Sequence, residues 1–363
     1  IIYKRKEEGR FLPDFRSRLE VGVSSPKMMK KVGEQTIVFD NDIYVESVGT
    51  VVGPKERQGP LGSSFDRAYG DLYCEEQSWE LAERRLMKEA ITICLENGGV
   101  SVQDVDLFIA GDLLNQTVTA NYVASELNVP FLGVFSACST ITEAMLVAAT
   151  FIDGTFARRV LVATSSHYGA AERQFRFPTT IGVQKGESAS WTVTGGAAAL
   201  LSTTRSPFRI RSATIGRVVD SGVTDPLDMG RAMAPAAFTT IKQHLVDCGL
   251  SLQSYDVIVT GDLGKVGSNE FKSLCDDANM NIGDRYTDCG VLIYDAEQQA
   301  FAGGSGCACC AVVTYSYFLR QMKEKKINTM LVVATGALFN STMVKQRQTI
   351  PAIAHAISIE AVI

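Results

Sequence analysis

The chain has 363 residues, of which 46% are hydrophobic and 21% charged, and its formal net charge is −5. This composition excludes a disordered chain, a collagen and a small disulfide scaffold. Because acidic residues outnumber basic ones, the chain as a whole lacks the excess of positive charge that is typical of nucleic-acid-binding proteins. The longest uncharged run, 298–319, contains Gln, Ser, Tyr and three glycines, which make it a poor bilayer span. Nine cysteines without paired spacing favour free thiols in a reducing compartment.

Residues 1–28 are predicted to be a basic N-terminal extension. Residues 1–31 contain nine Lys and Arg against four acidic residues, and they show no clear apolar period. Met28 and Met29 are candidate natural starts. Two interpretations stay open: an upstream extension, or a basic arm that rests on an anionic membrane surface.

The rest of the chain repeats itself once. Residues 99–113 (GVSVQDVDLFIAGDL) and 249–263 (GLSLQSYDVIVTGDL) are identical at seven of 15 positions. Three more pairs follow in the same order: 47–52 with 214–219, 136–138 with 305–307, and 161–164 with 332–335. A repeat of this length predicts two halves of the same architecture, 29–206 and 207–363.

The predicted elements occur in the same order in both halves. The first half reads as strand 43–52, helix 79–93, strand 105–110, strand 130–135, helix 138–152 and strand 160–164; the second reads as strand 210–219, helix 233–245, strand 257–260, a weaker apolar run at 300–302, helix 307–319 and strand 330–335. Strands that alternate with helices predict a layered α/β fold with parallel pairing. Two copies stacked back to back would form a five-layer αβαβα body with pseudo-twofold symmetry.

Cys138 and Cys307 each follow a turn of small residues at a predicted helix start. A helix start attracts anions and lowers the pKa of a thiol, so Cys138 is a candidate activated nucleophile. The alternative is a small residue that suits tight packing. Cys307, Cys309 and Cys310 lack the second ligand pair of a zinc site, which favours packing across the pseudo-twofold and predicts no metal site.

The repeat with a cysteine at a helix start resembles the thiolase-like superfamily, which includes thiolases and ketoacyl-acyl-carrier-protein synthases. Segment 194–199 (TGGAAA) looks like the glycine–alanine strand of that superfamily, and 303–306 (GGSG) looks like its C-terminal glycine motif. Within it, the chain resembles the stage V sporulation protein AD family in several long strings: GPLGSSFD (59–66), AGDLLNQTVTANYVA (110–124), AERQFRFP (171–178) and FAGGSGCAC (301–309). The resemblance covers residues 29–363.

The resemblance implies a thiolase fold that binds dipicolinic acid (pyridine-2,6-dicarboxylate) and supports its uptake into the developing spore and its release at germination. It also implies a peripheral location at the spore inner membrane, small membrane proteins of the same operon as partners, and a homodimer. No cofactor is implied.

The histidines argue against condensing activity. Condensing enzymes pair the nucleophilic Cys with a His from the second half and with a second His or an Asn, which move the proton and stabilise the oxyanion. Here the corresponding strand end, 260–264, reads TGDLG, without a His. His244 lies in a predicted helix, His355 in an apolar stretch, and His167 on a face that could approach Cys138. We therefore expect no enzyme; a Cys138-dependent acyltransferase and a structural adaptor for spore membrane proteins are the alternatives.

A small aromatic dianion needs a slot, hydrogen-bond donors and positive charge. Segment 165–190 is predicted to be a long functional loop, and its arginines can bind carboxylates bidentately or form surface salt bridges. The predicted ligand-binding residues are Cys138, His167, Arg173, Arg176, Lys185, Asp112, Asn115, Asp262 and Gly304.

Three of these residues, Asp112, Asn115 and Asp262, follow predicted strands, where ligands of α/β sheets collect. Calcium that accompanies the ligand is a candidate partner of Asp112, because calcium prefers oxygen ligands. The alternative is structural: the repeated Gly-Asp-Leu would place each aspartate as the cap of a turn or helix.

Overall fold

The computed structural model describes residues 31–175 and 185–362. The predicted extension 1–28 and Arg176 lie outside this range. The strands are β1 (Lys31–Val32), β2 (Thr36–Val52), β3 (Arg67–Ala68), β4 (Leu107–Asp112), β5 (Phe131–Gly133), β6 (Arg159–Ser166), β7 (Trp191–Thr192), β8 (Gly195–Ser202), β9 (Phe208–Thr214), β10 (Val257–Thr260), β11 (Tyr286–Asp288), β12 (Gly304–Ser305), β13 (Thr329–Ala337) and β14 (Ala352–Ala361).

Helices alternate with these strands along the chain. They are α1 (Pro54–Arg57), α2 (Trp79–Gly98), α3 (Val118–Leu127), α4 (Thr140–Asp153), α5 (Tyr168–Phe175), α6 (Met229–Cys248), α7 (Gly264–Asp277), α8 (Cys289–Leu292), α9 (Cys307–Val313), α10 (Leu319–Lys323) and α11 (Ser341–Lys345). A π-helical turn, Thr314–Phe318, joins α9 to α10. Short 3-10 turns cover Gly62–Ser64, Val102–Asp104, Asn115–Thr117, Leu252–Ser254, Gly283–Arg285 and Ala296–Gln298.

Both halves of the chain build a five-stranded sheet in the same order. The first runs β5-β4-β6-β8-β2 and the second β11-β10-β13-β14-β9, so that in each the third strand is followed by the second, fourth, fifth and first. The two sheets join where β2 pairs antiparallel with β9. The predicted layered α/β class with two equivalent halves is confirmed. The chain passes between the sheets after Ser202, and the division at residues 206/207 stays a prediction.

The two halves meet through a central helical layer. Helices α4 and α9 pack between the sheets, and the buried cluster around them takes residues from both halves, such as Ile141, Val312 and Val332. A second cluster lies between the first sheet and helices α2 and α3, and a third lies under α6 and α7. This gives five layers, in which each apolar helix face is removed from water.

The repeated glycines at the start of the two matching segments end equivalent helices. Gly99 ends α2 and Gly249 ends α6, with φ of 61° and 62°. A glycine adopts this left-handed conformation without a Cβ clash, and it is the common helix terminator for that reason. At its other end, α2 is capped by the Ser78 side chain, which accepts a hydrogen bond from the amide of Leu81.

Two predicted boundaries near the site are wrong. The helix expected from residue 138 begins at Thr140, so Cys138 lies in the preceding turn. The long loop expected over 165–190 instead begins with the end of β6 and with α5, because His167 caps a helix there.

Candidate functional site

Cys138 lies in a tight turn between β5 and α4. The preceding Ala137 has a φ of 50°, a left-handed conformation that is uncommon for a residue with a Cβ. Two hydroxyl groups hold the turn, since Ser139 Oγ donates to the carbonyl of Ser136 at 2.7 Å and Thr140 Oγ1 donates to the carbonyl of Ala137 at 2.6 Å. The turn fixes the direction of the Cys138 side chain, which is only 6% exposed.

The polar neighbours of the thiol come from the second half of the chain. Ser305 Oγ lies 3.8 Å from Cys138 Sγ, and the same hydroxyl donates to Asp262 Oδ2 at 2.7 Å. Asp262 also accepts from the amide of Gly306 at 3.1 Å and from Thr335 Oγ1 at 2.7 Å. A buried chain of hydrogen bonds therefore runs from Asp262 through Ser305 to the thiol.

The surroundings of Cys138 do not favour an activated thiol. Burial raises the pKa of Cys138 well above its usual range, and the Asp262 carboxyl nearby raises it further. A helix start lowers a thiol pKa only when desolvation and negative charge do not outweigh it. Burial and the nearby carboxyl therefore both favour the neutral form of the Cys138 thiol.

Two adjoining cavities lead to this thiol. The inner one, the chamber, has a volume of about 40 Å³. The outer one, the vestibule, has a volume of about 510 Å³. Both are lined by Leu113, Phe135, Phe175 and Phe339. No described residue that lines the chamber is charged. The rest of its lining consists of Ala137, Cys138, Ala171, Thr192, Pro226, Met229, Ser305, Gly306 and Ala337.

His167 does not approach the thiol as a base. Its Nε2 lies 2.7 Å from the carbonyl oxygen of Leu72, and its Nδ1 accepts the amides of Gly169 at 3.1 Å and Ala170 at 3.3 Å. Both ring nitrogens are thereby hydrogen-bonded, and Nδ1 caps the start of α5. Burial lowers the pKa of His167 to about 4, which keeps the ring neutral. The structure gives His167 a capping role, and a contact of this residue with a ligand stays a prediction.

The other two histidines are also hydrogen-bonded away from Cys138. His244 lies between Thr214 Oγ1 at 2.8 Å and Tyr255 OH at 2.6 Å. His355 Nδ1 accepts the amide of Gly216 at 3.2 Å. None of these hydrogen bonds joins an imidazole to the Cys138 thiol, so none of the three histidines is placed to accept its proton.

Two of the three predicted basic residues, Arg173 and Lys185, form ion pairs, and the third, Arg176, lies outside the described residues. Arg173 pairs with Glu80, and its guanidinium lies 5.2 Å from the centre of the Trp79 ring. Lys185 Nζ lies 2.8 Å from Glu172 Oε1. Neither side chain lines the chamber or the vestibule. These contacts are those of the salt-bridge alternative, and a role of Arg173 or Lys185 as a ligand contact stays a prediction.

Asp112 has the structural role that was the alternative to calcium binding. Its Oδ1 accepts the amide of Leu114 at 2.9 Å, and its Oδ2 accepts the amide of Ala120 at 2.8 Å, which holds the start of α3. Asn115 is exposed and lines the vestibule, where its backbone N–H donates to Gln174 Oε1 at 2.8 Å. Asn115 is thus near the site entrance, and Asp112 lies behind it.

Gly304 packs behind the chamber without lining it. It pairs with Trp191 in the two-stranded sheet of β7 and β12, and a Cβ there would lie 2.6 Å from the side chain of Ile293. Within the described residues, no group of three or more His, Cys, Asp or Glu side chains forms a candidate metal site.

Sequence reasoning missed four residues that shape the site: Ser305, Thr335, Phe175 and Phe339. A signal existed for two of them, because Ser305 and Thr335 fall within the repeated Ser-x-Cys and Ala-Thr strings. The two phenylalanines carry no such signal. They lie on α5 and on the segment after β13, which only the folded chain brings together.

Known proteins are similar to this chain over most of its length. The family model of stage V sporulation protein AD matches residues 33–360. Stage V sporulation protein AD of Bacillus subtilis (strain 168) is 53% identical over 332 residues, which cover 92% of this chain and 98% of that protein.

Solved structures of OleA from Xanthomonas campestris share the fold. The cerulenin-bound form has a TM-score of 0.58 at 12% identity and covers 88% of this chain and 97% of that one. The acetamide-bound form has a TM-score of 0.57 at 12% identity, with coverage of 88% and 100%. These likenesses give the thiolase-like fold alone. Since the family model and the Bacillus relative both span most of the sequence, the chain belongs to the stage V sporulation protein AD family.

Proposed function

We propose that the protein binds dipicolinate in the chamber beside Cys138 without turning it over. The observation that carries the proposal is the set of groups around the thiol: Ser305 and Asp262 are its polar neighbours, and all three histidines are hydrogen-bonded elsewhere. A protonated thiol without a base is a poor nucleophile. We therefore expect the chamber, which corresponds to the cavity of a condensing enzyme, to bind a ligand without catalysing its reaction.

The chamber wall suits a flat ring and provides hydrogen-bond donors, but none of its described lining residues supplies the positive charge expected for a dianion site. Phe135, Phe175 and Phe339 provide aromatic surface, and Ser305 and Thr192 provide hydroxyl groups. That the ring is dipicolinate follows from the family resemblance. A pyridine that carries two carboxyl groups is larger than the few water molecules that the chamber admits. Binding therefore requires the phenylalanines to move toward the vestibule.

Calorimetric titration with dipicolinate, in the presence and absence of calcium, tests the proposal. We expect saturable binding by the wild type and its loss in Ala337→Leu, which fills the chamber from β13. Ala296→Leu is the matched control, since Ala296 is exposed and lines neither cavity. No saturable binding under either condition rejects the proposal.

The biological role that we propose is support of dipicolinate uptake into the developing spore and of its release at germination, as a peripheral protein at the spore inner membrane. Membership of a sporulation protein family supports a role in the developing spore. Among the described residues, no helix has the length and apolar character needed to cross a bilayer. We propose that the small membrane proteins of the same operon hold the protein there, which co-purification from detergent extracts of sporulating cells tests.

A homodimer is part of the proposal. Strand β5 lies at one end of the sheet, and exposed apolar side chains surround it: Leu132 is 39% exposed, Phe135 49% and Tyr122 56%. An open edge with apolar neighbours favours pairing with a second copy. Light scattering should give a dimer for the wild type and a monomer for Leu132→Asp. A monomeric wild type would reject this part.

The two rival functions predict other outcomes. A structural adaptor predicts that chamber variants such as Ala337→Leu leave dipicolinate uptake unchanged, while surface variants abolish it. An acyltransferase predicts a reactive Cys138, which alkylation of the native protein would detect.

A further inference from the structure

The floor of the chamber holds one buried acid. Asp262 is 2% exposed and lies directly behind Ser305, whose hydroxyl lines the chamber. Its carboxyl group accepts hydrogen bonds from Ser305, Gly306 and Thr335, and the Cys138 thiol is a further hydrogen-bond partner. All of these donors are neutral. The negative charge of an ionised Asp262 would therefore be hydrogen-bonded but not neutralised.

The elements packed around Asp262 add no positive charge. Cys138 faces it from the turn before α4 and Cys309 from α9, and both are thiols. Asp288, at the end of β11, is another buried acid whose charge interacts with it. Thr335 faces it from β13. Among the described residues, no Lys, Arg or His forms an ion pair or hydrogen bond with Asp262.

A dianionic ligand meets this acid across a single hydroxyl group. If a ligand carboxylate accepts a hydrogen bond from Ser305, two carboxylates lie on either side of one Oγ in a site that excludes water. Two negative charges so placed in a low dielectric repel strongly, and such pairs hold a proton on one member. Burial already raises the pKa of Asp262 above its ordinary value, so this residue is the better proton acceptor.

We infer that Asp262 takes up one proton from solvent each time a ligand carboxylate docks on Ser305, so that the site captures the ligand together with a proton. This inference rests on the proposed function. In the empty site, Ser305 Oγ–H donates to the Asp262 carboxylate. In the filled site, protonated Asp262 donates to Ser305 Oγ, and the Ser305 hydroxyl hydrogen turns to the ligand. One proton leaves the buffer and one O–H bond forms on Asp262.

The consequence is affinity that depends on pH. Above the pKa of Asp262 in the empty site, binding has to recruit its proton, and the dissociation constant of dipicolinate rises about tenfold per pH unit. Release is then favoured wherever the protein meets a more alkaline medium.

Calorimetry in pairs of buffers with different ionisation enthalpies measures the proton uptake of the wild-type protein directly. We expect up to about one proton per dipicolinate at pH values above the pKa of Asp262 in the empty site and below its pKa in the filled site, with weaker binding as the pH rises. Asp262→Asn has nearly the same shape and cannot titrate, so its binding should take up no proton and should vary little with pH. Asp112→Asn, at the repeat-related aspartate behind the vestibule, should retain the proton uptake.

Each result bears on the inference separately from the proposed function. Saturable wild-type binding without proton uptake overturns the inference and leaves dipicolinate binding intact. Proton uptake that persists in Asp262→Asn also overturns it, because the proton then resides on the ligand or elsewhere. Absence of saturable binding to the wild type rejects the proposed function and the inference with it. If the Asn variant fails to fold, the absence of proton uptake by the wild type still overturns the inference.

Discussion

The rings of Phe175 and Phe339 meet edge to face, with their centroids 5.4 Å apart and their planes at 69°. Both residues line the chamber and the vestibule, so the pair forms part of the wall between the two cavities. Phe175 belongs to the first half of the chain and Phe339 to the second. A ligand that reaches Cys138 from the vestibule has to displace at least one of these rings.

Removal of one ring should open the chamber. We expect Phe339→Ala to bind dipicolinate with a faster association rate, because the wall no longer has to move. The substitution should lower the free energy of unfolding by less than the roughly 3–5 kcal/mol of a fully buried Phe, since Phe339 is half-buried. Stopped-flow measurement of association gives the rate, and calorimetry gives the affinity.

Phe156→Ala is the control for this experiment, because Phe156 is 82% exposed and lines neither cavity. Its association rate should equal that of the wild type. An unchanged rate in Phe339→Ala would mean that the ligand enters by another route.

The reactivity of Cys138 separates binding from acyl transfer. Its raised pKa and burial should make its alkylation by iodoacetamide at neutral pH slower than that of a free thiol by on the order of tenfold or more. Mass spectrometry of the native protein provides an internal comparison with Cys248, which is half-buried. All nine cysteines should react after unfolding. Faster labelling of Cys138 than of Cys248 would contradict a neutral thiol and favour the acyltransferase.

Arg173 should be dispensable for binding. We expect Arg173→Ala to change the affinity for dipicolinate by less than about twofold, because its guanidinium pairs with Glu80 outside both cavities. The pair is about half exposed, and such surface ion pairs contribute about 0–1 kcal/mol. Ser305→Ala is the positive control and should weaken binding. A large loss of affinity in Arg173→Ala would restore it as a ligand residue.

The fold could be predicted from the sequence because the two copies of the repeat contain equivalent strands. The two Gly-Asp-Leu strings occupy the same position in the repeated segments 99–113 and 249–263, at the ends of the equivalent strands β4 and β10. The predicted strand at 257–260 has the observed bounds. The length of β2 was not predictable in the same way. It extends to 17 residues because its two ends pair with β9 and β8, which depends on how the halves join.

The site was predictable in part for the same reason. Cys138 and Asp262 each follow a strand, and strand ends of an α/β sheet collect site residues. The partner of Arg173 was not predictable, because Glu80 lies 93 residues earlier and reaches it only through the packing of α2 on α5. The contact between Cys138 and Ser305 likewise spans 167 residues and depends on the stacking of the halves. Local sequence patterns do not predict contacts between residues so far apart in the chain.

Glu56 should make the stability of the fold depend on pH. Its side chain is fully buried, and its Oε1 accepts hydrogen bonds from Tyr294 OH and, at 3.0 Å, from the amide of Thr194. Burial raises the pKa of Glu56 to about 7, above its usual 4.5. The folded state therefore binds this proton more tightly than the unfolded state. The contribution of Glu56 to stability is fully present below about pH 4.5 and is lost as the pH rises through about 7.

The variant Glu56→Gln keeps an acceptor for Tyr294 and cannot ionise. The difference in unfolding free energy between the variant and the wild type should therefore shift in favour of the variant by up to about 3 kcal/mol between about pH 5 and about pH 8. The difference is the required quantity, because His167, His244 and His355, with pKa values lowered to about 4, make stability rise with pH in the same window. Urea unfolding at several pH values measures it.

Glu297→Gln is the control for charge, since Glu297 is exposed in the turn that follows Tyr294. Its difference from the wild type should stay constant over the same pH range. If the Glu56→Gln difference is equally constant, Glu56 does not titrate in this window, and the link between α1 and Tyr294 does not sense pH. A difference that grows with pH would identify protonated Glu56 as the form that joins the two halves of the chain at this contact.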